Sequence, residues 1–68
     1  MEIKLRDEYI KLGQALKAAG VVDSGVVAKL IIQDGAVSVN GEVELQRGKT
    51  LYDGDIVTVD GETIKIVK

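Results

Sequence analysis

Few side chains in this chain could do chemistry, and those present favour holding an anion over breaking a bond. With no histidine and no cysteine, the commonest general base and the thiol nucleophile are both missing, as are the ligands of the usual structural zinc sites. Ser24 and Ser38 have no activating partner in the residues around them. Asp53, Asp55 and Asp60 invite comparison with a calcium cluster, but their spacing does not fit a twelve-residue loop that ends in glutamate. Turn-forming Asp-Gly pairs account for them better. No catalytic residue, metal, cofactor or small-molecule substrate is therefore expected. What remains is a phosphate seat at Asp23-Ser24-Gly25, where a helix start offers free backbone N–H groups and the positive end of its dipole. Gly25 places no Cβ in the way of an approaching backbone, and Lys29 lies about one turn further on.

The elements that must present this seat have little material to work with. Sixty-eight residues make one domain, residues 1–68, because so short a chain buries only about 60% of its unfolded surface. Without a disulfide or zinc the core must hold by packing alone. Val, Ile, Leu and Ala supply nearly all of it, and Tyr9 and Tyr52 are the only aromatics. No apolar run approaches the roughly 20 residues of a membrane span, and MEIKLRDEY has neither region of a signal peptide. A cytoplasmic protein is expected. The net charge of −2 opposes a nucleic-acid partner, but its distribution does so less: from Tyr9 to Thr50 five cations face four acids, and the acids concentrate later.

Glu2-Ile3-Lys4-Leu5-Arg6 alternates charged and apolar residues, predicting a strand with Ile3 and Leu5 inward and Tyr9-Ile10 extended beyond it. Leu12, Ala15, Leu16 and Ala19 predict a short helix that leaves Lys11, Gln14 and Lys17 off its apolar face and ends with Gly20 at C′. Asp23 or Ser24 would cap a second helix with Val27, Leu30 and Ile31 as its apolar stripe, widened by Ala28 and Ile32 and closed by Gly35. Lys29 and Gln33 share the polar side.

Two hairpins should follow. Around Asn40-Gly41, a two-residue loop would set Val39 against Glu42 and Val37 against Glu44, apolar against charged. A three-residue loop with Gly41 as a left-handed bulge would instead set Val37 opposite Val43, and it is the preferred register. It implies that Gly41→Ala costs more than Asn40→Ala. After the polar connection Gln46-Arg47-Gly48-Lys49-Thr50, Leu51 and Tyr52 are expected back in the core. Asp60-Gly61 then turns a hairpin with Val57, Ile64 and Ile66 on one face.

DSGVVAKLIIQDGAVSVNGEVELQRGKTLYDGD resembles the S-four RNA-binding domain, the αL-type motif, and more closely the stand-alone bacterial YbcJ-like members. The likeness runs over roughly residues 9 to 60. It is carried by the first helix to Gly20, Asp23-Ser24-Gly25 with Ala28-Lys29, Gly35, Val37, Val39-Asn40-Gly41 and Gly54-Asp55. The resemblance implies an α+β fold with two short helices packed on a small, mainly antiparallel sheet of about four to five strands. It also implies contacts to folded RNA from Lys11, Ser24, Gly25, Lys29, Asn40, Gly41, Arg47 and Lys49. Val26, Val27, Gln46 and Thr50 stand where relatives are often more polar or basic.

The reading that follows is a monomeric module for the backbone and shape of structured RNA, ribosomal or tRNA-like, with a role in translation. Two tyrosines leave little capacity for stacking single-stranded bases. The alternative is a protein-protein interaction module built on Val26 and Val27.

Overall fold

The last hairpin sets the sheet. In a computed structural model that describes all 68 residues, strands Ile56–Val59 and Glu62–Val67 pair antiparallel with Val57 opposite Ile64 and Val59 opposite Glu62. Alternation then buries Val57, Val59, Ile64 and Ile66 on one face and leaves Thr58, Thr63 and Lys65 on the other. In chain order the strands are β1 (Glu2–Lys4), β2 (Ile10–Lys11), β3 (Val37–Val39), β4 (Glu42–Val43), β5 (Thr50–Leu51), β6 (Ile56–Val59) and β7 (Glu62–Val67), with α1 (Leu12–Ala18) and α2 (Gly25–Gln33) between β2 and β3. The main sheet runs β1-β7-β6-β3-β4, and β2 with β5 forms a separate two-stranded ribbon.

The first strand, with Ile3 and Leu5 on its inward side, joins the edge of the last hairpin in parallel, with Ile3 opposite Ile66. All other pairings are antiparallel. Both helices cover the apolar face. From α1 come Leu12, Ala15 and Leu16 and from α2 Ala28 and Ile32, all with no exposed surface, against Val37, Leu51, Val57, Ile64 and Ile66. Full burial of each aliphatic side chain contributes about 1.5–3 kcal/mol, and no polar or charged side chain is buried among them.

Both helices stop as their glycines predict. Gly20 at φ 76° donates to the Lys17 carbonyl while Val21 donates to Leu16, and Gly35 and Ala36 repeat the pattern on Ile32 and Ile31. These paired bonds satisfy carbonyls that would otherwise be orphaned. Of the two possible caps for α2 it is Ser24 that serves, its Oγ accepting from the Val27 N–H at 3.3 Å.

Three expectations need correction. The Asn40-Gly41 turn is the two-residue form, with Val39 opposite Glu42 and Ser38 opposite Val43. Both turn residues have positive φ, 52° and 86°, which suits a hairpin turn whose twist follows the strands. The inward valines Val37 and Val39 find apolar partners on β6, opposite Val59 and Val57, so β3 gains nothing from placing Val43 opposite Val37, and Val43 remains exposed. The apolar stripe of α2 is rotated from its expected position: Ala28 and Ile32 are its buried centre, while Val27 and Leu30 are 40% and 60% exposed. Tyr52, finally, lies outside the core on the surface.

Candidate functional site

At seven residues, α1 is too short to stand alone, and its start has no side-chain cap. The loop between β4 and β5 takes that role. The N–H groups of Leu12 and Gly13 donate to the carbonyls of Lys49 and Arg47 at 2.8 and 3.0 Å. Three segments meet at Gly13, where an added Cβ would touch Arg47 at 3.6 Å and Ala28 of α2 at 4.0 Å. The polar stretch Gln46 to Lys49 is thus held against the start of α1 by backbone bonds.

This docking creates an open cleft of about 290 Å³ between the start of α1, the loop and the start of α2. Lys11, Lys17 and Arg47 supply its charge, Gly13, Gly25 and Gly48 its low walls, and Gln14 its remaining polar group. Neither an acid nor an apolar side chain lines it. The three cations form no ion pair, since the chain's one salt bridge joins Lys68 to Glu8 at 2.6 Å, among other residues. Lys11 is nonetheless held in place: its Nζ donates to Thr50 Oγ1 at 2.8 Å and stands 5.5 Å from the Tyr9 ring centre. At the α2 end, helix geometry leaves the Gly25 and Val26 N–H groups without intrahelical acceptors, and the dipole adds positive potential there. A fixed Lys11, two further cations and unpaired N–H donors are groups of the kind that phosphate oxygens accept from.

Of the residues singled out from the sequence, Lys11, Gly25 and Arg47 line this cleft. Lys29 is exposed four residues beyond Gly25, which places it on the adjoining side of α2, one turn along. Ser24 adjoins the cleft, but its oxygen caps α2. Ser24→Ala should therefore cost about 1 kcal/mol of stability in urea unfolding and Ser24→Gly only a few tenths.

Lys49, Asn40 and the turn at Gly41 lie elsewhere. Lys49 and Asn40 line a separate recess with Glu42, Glu44 and Asp55, and the Asn40 side chain is occupied by bonds to Asp55 and to the Ile56 N–H. Sequence reasoning missed Gly13, Gln14, Lys17 and Gly48. The available signal was the polar side of α1, where Gln14 and Lys17 are three apart and share one face. Of the acids proposed as turn formers, Asp55 accepts from the Tyr52 N–H at 2.8 Å and from Asn40 at 3.0 Å, and Asp60 takes the positive φ of its hairpin turn. Asp53 instead accepts from the Lys68 N–H at 2.9 Å and ties down the last residue.

Residues 3–67 match the family model described as the S4 domain. The probable ribosome maturation protein RlbA of Bacillus subtilis is 44% identical over 59 residues, spanning 87% of this chain and 83% of that protein. The putative RNA-binding protein YbcJ of Escherichia coli is 32% identical over 59 residues, covering 87% and 84%. The solution structure of Escherichia coli YbcJ, with an ALFAL motif involved in RNA binding, superposes with a TM-score of 0.75 at 29% identity over 98% of this chain and 86% of that one. Ribosomal protein S4e of Thermoplasma acidophilum shares the fold, with a TM-score of 0.71 at 20% identity over 85% of this chain and 31% of its own.

Proposed function

The chain belongs to the S4 domain family, and from that membership we propose that it is a non-catalytic RNA-binding module, recognising the backbone and shape of structured RNA. Its target is ribosomal or tRNA-like RNA, and it acts as a monomer in the cytoplasm. The observation that carries this reading is the cleft itself: three unpaired cations and the open start of α2 gather with no acid among them, on a chain whose net charge is −2. Such clustering gives a local positive field where the whole molecule has none. The names borne by the relatives in Bacillus subtilis and Escherichia coli, one for ribosome maturation and one for RNA binding, point the same way.

Lys11, Lys17 and Arg47 hold successive phosphates, Gly25 lets the RNA backbone approach the α2 N–H groups, and Lys29 extends the track along α2. The cleft offers cations and backbone N–H groups and no aromatic surface for a base, so recognition there is of backbone geometry, as is general for helical RNA. With four cations on the track, affinity for a blunt RNA hairpin should fall with salt at a log-log slope of about −3 to −4, from −0.7 to −0.9 per phosphate contact. Fluorescence anisotropy between 50 and 400 mM salt, about the range over which such slopes are read, checks it. Binding with a flat salt dependence would contradict the cleft as the contact surface. It would favour the protein-interaction alternative, for which the exposed Val26, Val27 and Leu30 on the other side of α2 are the supporting feature.

A further inference from the structure

The ribbon of β2 and β5 carries on its outer side a group of residues that the phosphate cleft does not use. Ile10 pairs with Leu51 and Lys11 with Thr50. Extending that register by one residue sets Tyr9 against Tyr52, and alternation puts Tyr9, Lys11, Thr50 and Tyr52 on one face, with buried Leu51 on the other. The two aromatic rings of the chain, far apart in sequence, therefore meet edge to face with centres 6.4 Å apart. Each residue stays about half exposed, at 50% and 55%. Nothing in the packing of the core requires them, since both lie outside it.

We propose that Tyr9 and Tyr52 form a stacking platform for one unpaired nucleobase of the RNA whose backbone occupies the neighbouring cleft. This rests on the phosphate-binding reading and adds to it a preference for a helix interrupted by a bulge or a single-stranded end. Lys11 joins the two sites, because it lines the cleft and stands over the Tyr9 ring. A phosphate on Lys11 thus leaves its own base within reach of the rings. The charges fix the direction. Beyond Tyr52 the recess holds Glu42, Glu44 and Asp55 against a single Lys49, so a second phosphate track is disfavoured there and a neutral base is not. A continuous duplex would have to carry phosphates across those acids; an unpaired nucleotide would not. Base-aromatic stacking is insensitive to base identity, which makes the platform a reader of unpaired structure and not of sequence.

The test uses the full chain and two RNA hairpins of the same stem, one blunt and one bearing a single unpaired 2-aminopurine. The unpaired form should bind roughly tenfold more tightly, with the 2-aminopurine fluorescence quenched on binding. Tyr52→Ala, which touches no cleft cation, should reduce that preference towards unity while leaving the affinity and salt slope for the blunt hairpin unchanged. Tyr9→Ala, which also removes the ring beside Lys11, should lose more on the unpaired hairpin than on the blunt one. Tyr9→Phe, which keeps the ring, should retain the preference. Equal affinities for the two hairpins with the wild-type chain, or a Tyr52→Ala variant that keeps the full preference or loses the same factor on both, would overturn the platform and leave the phosphate reading standing. Absence of salt-sensitive binding to either hairpin would overturn both.

Discussion

Replacing Asn40 with alanine should remove about 2 kcal/mol of folding stability, roughly twice what Gly41→Ala removes. The turn needs positive φ at both positions, 52° and 86°, and a Cβ at either costs about 1 kcal/mol unless the side chain compensates, as asparagine does locally. Space is not the issue at Gly41, where an added Cβ meets nothing within 4 Å. Asn40, however, also ties the β3–β4 turn to the β5–β6 turn. Its backbone N–H donates to the Ile56 carbonyl at 2.7 Å, its Oδ1 accepts from the Ile56 N–H at 2.9 Å, and its Nδ2 donates to Asp55 Oδ1 at 3.0 Å. Because the site is partly wet, the two side-chain bonds contribute towards the low end of the usual range, together about 1 kcal/mol. Asn40→Gly separates the two effects: it keeps the conformation, loses the bonds and should cost about 1 kcal/mol. For a domain of this size 2 kcal/mol lowers Tm by about 10 °C, easily resolved by circular dichroism. An unchanged Tm for Asn40→Gly would show that the side-chain bonds contribute nothing, and equal shifts for Asn40→Ala and Asn40→Gly would show that the positive φ costs alanine nothing there.

That reversal shows where local pattern stops carrying information. The Asp60-Gly61 hairpin was legible because its two strands bury each other's neighbours: Val57 opposite Ile64 satisfies alternation within the hairpin itself. The Asn40-Gly41 hairpin obeys a different partner. Its first strand is buried by β6, nearly twenty residues downstream, so matching Val37 to Val43 asked a local question of a non-local contact. The helix stops, a cap at Asp23 or Ser24 and the inward Ile3 and Leu5 depended on nearest neighbours and could be read from the chain, whereas the choice of Ser24 came only with the structure.

The site divides along the same line. Gly25 was nameable in advance because a helix start and its cap leave local marks, while Lys11 and Arg47, which line the same cleft, were named only through the resemblance to the S-four domain. Lys17 was visible only as an off-face lysine, since what brings it to Arg47 is the docking of Leu12 and Gly13 onto loop carbonyls. Lys49 carries the same charge as Arg47 two residues away, yet lies among acids, a distinction that composition cannot make. The tyrosine pair was hidden for the same reason, because it exists only through the β2–β5 register.

Removing the three cleft cations together, Lys11→Ala, Lys17→Ala and Arg47→Ala, should weaken binding of a blunt RNA hairpin roughly 100- to 500-fold at 0.1 M salt. Each phosphate contact with a slope of −0.7 to −0.9 raises affinity about five- to eightfold at 0.1 M relative to 1 M, and three such factors multiply to between two and three orders of magnitude. The same arithmetic requires the slope itself to become shallower by about 2 to 3, so wild type and variant should converge as salt approaches 1 M. Convergence is the diagnostic, because a loss caused by unfolding would persist at every salt concentration. Unfolding is not expected, as all three side chains are exposed and surface substitutions of this kind usually stay within about 0.5 kcal/mol each. Lys65→Thr provides the matched control. It removes a cation from the sheet face turned away from the helices, and if position matters and not net charge, it should leave both affinity and slope nearly unchanged. A variant at Lys65 that weakened binding as much as one in the cleft would mean that the RNA feels the whole molecule's charge, and the cleft would lose its claim to be the seat.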